Sequence, residues 1–205
     1  MTDPPKDTNA PRIPQPQDVR LIVAEDIRTP RAAFRNLEAN TGILGITNGS
    51  WDKIDALAEL LLISGPSKVA ISTWTAAGAH IQQAQRMIHS RLITDLRLLV
   101  DRSFLSRQPE YCATARLVFG DESIRVWNSH AKFIVLEPRD GPNIVYLTSA
   151  NLNQNKRIEN FQLFCSDRIA NEYLALVDRI FDLQSSGEGF RSTTSGRRHT
   201  NLLFA

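Results

Sequence analysis

The stretch NSHAKFIVLE, residues 128–137, sets a histidine and a lysine two residues apart at the head of an apolar run. Residues 130–136 read as a strand, and alternate side chains of a strand share a face. His130 and Lys132 therefore point the same way. The segment PRDGPN (138–143), with Asp-Gly at its centre, is turn chemistry. It folds IVYLTSANLN (144–153) back beside the first strand, so that Thr148, Ser149 and Asn151 approach the His–Lys pair. NKRIENF (155–161) then brings Glu159 in on the next strand. An ammonium and a carboxamide are donors suited to phosphate oxygens. A histidine is a nucleophile or an acid near neutral pH. A glutamate bonded to one ring nitrogen would fix the tautomer and leave the other nitrogen free to attack. The missing partner of this group is an anion, most simply a phosphodiester.

HAK followed by TSANLN and IENF resembles the motif of the phospholipase D superfamily: His-x-Lys, then Gly-Ser-x-Asn, then a glutamate. The resemblance covers residues 128–166. It implies that His130 is the nucleophile or the general acid, that Lys132 and Asn151 hold the phosphate, that Ser149 supports the site and that Glu159 orients the histidine. Two positions depart from the pattern. Glu137 stands where the family has aspartate, and Thr148 stands where it has glycine; both are expected in supporting places. The implied reaction passes through a phosphohistidine and needs two His-x-Lys motifs. This chain has one and no internal repeat. A homodimer would supply the second across its two-fold axis. Lys and Asn donors would carry the charge, so no cofactor is expected. No cluster at metal-ligand spacing is found, so no metal is expected either.

The elements that must position these residues alternate. Thr29-Pro30 starts a short helix stopped by Gly42. ILGIT (43–47) is a strand. Ser50 caps a helix that keeps Trp51, Ile54, Leu57, Ala58, Leu61 and Leu62 on helical spacing and ends at Gly65-Pro66. Strands are expected at 68–74 and 95–101, and helices at 77–92 and 109–119. Strands follow at 123–127, 130–136, 143–148 and 159–166, with a last helix over 168–183. The pattern predicts an α/β fold with a mixed β-sheet sandwiched between helices, which the resemblance identifies as phospholipase D-like.

The chain has 205 residues, 42% hydrophobic and 22% charged, with a net charge of +2. That suits one globular domain and does not by itself mark a nucleic-acid binder. Residues 1–18 hold five prolines and read as a disordered arm. Residues 19–184 are the phospholipase D-like domain, and 185–205 a flexible tail. No apolar stretch long enough to span a membrane and no signal-peptide segment is found, so a cytoplasmic protein without a membrane partner is expected. Cys112 and Cys165 read as small core residues, and His80 and His89 as surface residues. Trp74 reads as a rim or core residue in preference to a base-stacking one. The expected activity is a metal-independent phosphodiesterase acting on nucleic acid. A phospholipid phosphodiesterase and a catalytically idle binding module are the alternatives.

Overall fold

Eight strands form one mixed sheet in this computed structural model, which describes residues 18–23, 28–153 and 157–190. Most of the proline-rich segment, Asn155 and residues 191–205 lie outside the described residues. The strands are β1 (Asp18–Val23), β2 (Thr41–Thr47), β3 (Ser67–Thr73), β4 (Ile93–Asp101), β5 (Ile124–Trp127), β6 (Phe133–Pro138), β7 (Ile144–Thr148) and β8 (Glu159–Cys165). They lie in the order β1-β2-β8-β7-β6-β3-β4-β5. β3, β4 and β5 are parallel, β6, β7 and β8 form an antiparallel meander, and β1 pairs parallel with β2. The α/β mixed sheet is therefore as the alternation predicts, with β1 an addition at its edge.

Helices cover both faces, and the alternation of the strands sets which residues meet them. On one face Val69, Ile71, Ile134, Leu136, Tyr146, Phe161 and Leu163 pack under α2 (Lys53–Ser64), α3 (Gly78–His89) and α5 (Pro109–Phe119). On the other, Ala70, Phe133, Val135 and Val145 meet α6 (Asp167–Leu183) through Ala170, Leu174, Val177 and Ile180. Buried Cys112 and Cys165 are free thiols within the larger core.

Several boundaries differ from the sequence reading, each for a local reason. The first helix, α1 (Pro30–Ala33), is a single turn that ends at Phe34, and Gly42 lies inside β2. Phe34 ends the helix by entering the core, where it is fully buried. Asp52, not Ser50, caps α2: its carboxylate accepts from the amides of Ile54 and Asp55, and the Asp55 side chain answers to the Asp52 amide. A five-residue helix, α4 (Ser103–Arg107), fills the stretch between β4 and α5. β6 begins at Phe133, so His130 and Lys132 precede it. The Lys132 carbonyl nevertheless accepts from the Thr148 amide at 3.1 Å, which extends the ladder to the lysine. Packing also continues past residue 184. Gln184 bonds both the amide and the carbonyl of Val126, and Phe190 lies against the larger core.

Phe34, Trp51, Tyr146 and Phe161 form an aromatic cluster against β7 and β8, with centroid separations of 5.3–5.9 Å. Phe161 touches the other three, two residues after Glu159, and Tyr146 precedes Thr148 by two. Beside this cluster Lys53, the first residue of α2, is fully buried. Its ammonium nitrogen donates to the Ser72 carbonyl at 2.5 Å. Burial, and then the nearby Lys132 charge, push its pKa well below the ordinary 10.5.

Two stability predictions follow from this packing. Phe161→Ala removes the hub of the aromatic cluster and is expected to cost about 3–5 kcal/mol in urea denaturation. Lys53→Met tests the buried amine. With a depressed pKa, the unfolded chain binds the Lys53 proton more readily than the fold does, so the fold is penalised below pH 10.5 and relieved as pH rises towards it. Paired denaturation at pH 7 and pH 10 is expected to show the wild type gaining on the variant at the higher pH. An equal difference at both would mean that the amine stays charged in the fold.

Candidate active site

The C-terminal end of β3 collects the chemistry. Ser72 and Thr73 are both about 1% exposed, and their hydroxyls reach in two directions. Ser72 Oγ donates to the Ala131 carbonyl at 2.9 Å, which fixes the residue between His130 and Lys132. Thr73 Oγ1 accepts from the Leu152 amide at 3.0 Å, which fixes the residue after Asn151. The two half-motifs, remote along the chain, are thus anchored on adjacent residues of one strand.

Within the first half-motif, Lys132 Nζ lies 3.2 Å from His130 Nδ1 and 3.4 Å from Nε2, and it donates to the His130 carbonyl at 3.0 Å. The His130 ring is exposed and tilts against the Trp74 ring, with centroids 5.4 Å apart. Partial burial lowers the Lys132 pKa, and the Glu159 carboxylate acts in the opposite sense.

The second half-motif is held by the meander. Ser149 Oγ donates to the Glu159 carboxylate and accepts from the Asn160 amide at 3.1 Å. Thr148 Oγ1 donates to the Asn160 carbonyl and accepts from the Ala150 amide, both at 3.0 Å. Asn151 is half-buried, and its Oδ1 has no hydrogen-bond partner among the described residues. A buried acceptor left unpaired is destabilising until a donor reaches it. A cleft of about 260 Å³ opens beside Lys132, Thr148, Ser149 and Asn160 and extends to Tyr173 on α6. It borders the lysine and the serine, whereas His130 stands outside its lining.

The candidate residues therefore separate. His130 and Lys132 form one contact pair, Ser149 and Glu159 another, and Thr148 braces the turn beside them. Glu137 does not join them. Alternation puts it on the α6 face with Phe133 and Val135, five residues along from Lys132. There it binds Arg97 at 3.1 Å, and Arg97 also bonds Asp178. Its support is given to the sheet rather than to the histidine. His80 is a further correction to the sequence reading. It is 6% exposed and bonds Asp52 through Nε2 at 2.7 Å, because α3 packs its N-terminal end against that of α2. His89 is exposed, as expected. Among the described residues no group of three or more His, Cys, Asp or Glu is placed to hold a metal ion. No helix there is long and apolar enough to cross a membrane.

Sequence reasoning missed Lys53, which bonds the carbonyl of the residue that anchors Ala131. A signal was present: Lys53 stands in register with Leu57, Leu60 and Leu61, on the buried stripe of an amphipathic helix. A lysine there must either find a carbonyl or lose its charge.

No protein-family model matches the chain, and no curated protein matches it significantly. Solved structures do. Nuc from Salmonella typhimurium, a phospholipase D family member, is 13% identical over 69% of this chain and 93% of its own, with a TM-score of 0.48. NucT from Helicobacter pylori is 16% identical over 69% and 95%, with a TM-score of 0.49. Polyphosphate kinase from Porphyromonas gingivalis is 15% identical over 71% of this chain, with a TM-score of 0.50, and the chain spans 26% of that protein. At such identities the likeness is one of fold alone: a mixed sheet sandwiched between helices, shared with part of the polyphosphate kinase.

Proposed function

We propose that the protein is a metal-independent phosphodiesterase that hydrolyses nucleic acid, DNA or RNA, as a cytoplasmic homodimer. The observation that carries this reading is the anchoring of His130–Lys132 and Ser149–Asn151 on neighbouring residues of β3, with Glu159 hydrogen-bonded to Ser149. Both half-motifs are thereby tied to the end of β3, and the histidine is exposed.

In this reading a ring nitrogen of His130 attacks phosphorus, and the bond from phosphorus to the leaving oxygen breaks. His130 of the partner subunit gives that oxygen its proton. Lys132 and Asn151 hold the non-bridging oxygens and take up the charge that builds on them. Ser149 supports the turn that carries Asn151. Glu159, bonded to Ser149, helps to keep Lys132 charged. Water then attacks the phosphohistidine, the P–N bond breaks, and the imidazole returns.

In excess EDTA the wild type is expected to cleave DNA or RNA, and acid quenching to trap a covalent phosphohistidine. His130→Ala is expected to lower cleavage by a factor on the order of 10³. Light scattering is expected to give a dimer. Undiminished cleavage by His130→Ala would overturn the reading. Salt-sensitive DNA binding with no covalent species would leave a binding module in its place.

A further inference from the structure

Trp74 and Arg107 stand beside His130 without a role in the chemistry above. Trp74 follows the last residue of β3 and is half-buried, whereas Trp51 and Trp127 are buried in the cores. Exposed Arg107 ends α4 and lays its guanidinium over the indole, with Cζ 3.6 Å from the ring centroid. The stack is pinned from several sides. Arg107 Nη2 donates to the Trp74 carbonyl at 3.1 Å, and Nε donates to Ser103 Oγ at 3.0 Å. Ser103 in turn donates to Asp101 through both its amide and its hydroxyl. The other Asp101 oxygen accepts from the Ser129 amide at 3.2 Å, one residue before His130. The guanidinium, the indole and the imidazole are thus held as one unit.

Arginine stacked on tryptophan also occurs as plain surface packing. Two features exceed that here. The guanidinium plane is fixed by hydrogen bonds yet open to solvent. The indole beneath it lies 5.4 Å, centroid to centroid, from the ring of the proposed nucleophile. A base adjoining a phosphate attacked by His130 comes within reach of this stack. Bases stack on aromatic rings and on guanidinium planes, and only an unstacked base offers its face.

We propose that Trp74 and Arg107 form a nucleotide subsite beside His130. The base next to the scissile phosphate stacks on the Arg107 guanidinium, which Trp74 backs, and the substrate is therefore single-stranded. This rests on the phosphodiesterase reading, and its test separates the two. Two strands of equal length are compared in EDTA, one bearing bases and one made of abasic sites. The base-bearing strand is expected to quench tryptophan emission and the abasic strand is not. The quenching is expected to vanish in Trp74→Phe. Trp74→Ala and Arg107→Gln are expected to raise KM for the base-bearing strand about tenfold and to leave KM for the abasic strand little changed. Trp74→Phe is expected to restore most of that KM, which loss of folding would not allow. Equal losses on both strands, or quenching that survives Trp74→Phe, would overturn the subsite while leaving the phosphodiesterase reading intact. Base-dependent quenching at Trp74 without any cleavage would support the subsite and overturn the activity.

Discussion

The arrangement depends on two small hydroxyls at the end of β3. Ser72 and Leu152 are buried, so neither the Ser72 hydroxyl nor the Leu152 amide has water to fall back on. A hydrogen bond contributes about 1 kcal/mol when made, but leaving its buried partner unpaired costs about 1–3 kcal/mol. That asymmetry makes each link hard to break. Ser72 holds the carbonyl between His130 and Lys132, and Thr73 holds the amide after Asn151. β3 is itself clasped between antiparallel β6 and parallel β4. The segments that carry His130, Lys132, Ser149 and Asn151 lie outside the strands, but their anchors are sheet. Placement on a rigid element is what allows a group of side chains to hold a reactive geometry.

The electrostatics of the same edge are unbalanced by design of the fold. Each of Lys53 and Lys132 has its pKa lowered by burial, and the Lys132 charge pushes Lys53 further. Glu159 opposes the shift at Lys132. A buried lysine could have relieved itself with a carboxylate. Lys53 bonds a backbone carbonyl instead, while the neighbouring Asp52 is engaged by His80 and by the α2 amides. The helix start thus gives its acid and its base separate partners.

How much of this was legible in the sequence follows from the range of the forces involved. Period-two and period-3.6 patterns are local, so the strands and long helices from 43 to 183 were readable, and with them the mixed sheet. The turn over 139–143, with Gly141 at φ +109°, was readable for the same reason. What failed depended on distant partners. Phe34 ends α1 by packing on Trp51, Tyr146 and Phe161, which no local signal foretells. His80 is polar and sits on a helix, but its burial is decided by the approach of α2. Glu137 matched a motif position by count, and alternation along β6 alone would have put it on the face opposite Lys132.

Thr148 shows how a departure from a motif can be absorbed. A glycine before the serine would leave backbone close to the anion. Threonine there adds a hydroxyl and a methyl, and the hydroxyl is fully engaged: it gives its proton to the Asn160 carbonyl and receives the Ala150 amide. The side chain is spent on bracing the turn across β8. Ser149 makes the parallel connection, with its amide donating to the Asn160 carbonyl and its hydroxyl receiving the Asn160 amide. Consecutive residues therefore clamp one point of β8 from both backbone and side chain. The clamp adjoins Glu159, so the position of the carboxylate is set by the turn that presents Asn151. Flexibility that a glycine would confer is exchanged for a fixed distance between the carboxylate and the carboxamide. In the phosphodiesterase proposed above, the donors must already face the oxygens when charge develops, and that exchange favours such chemistry.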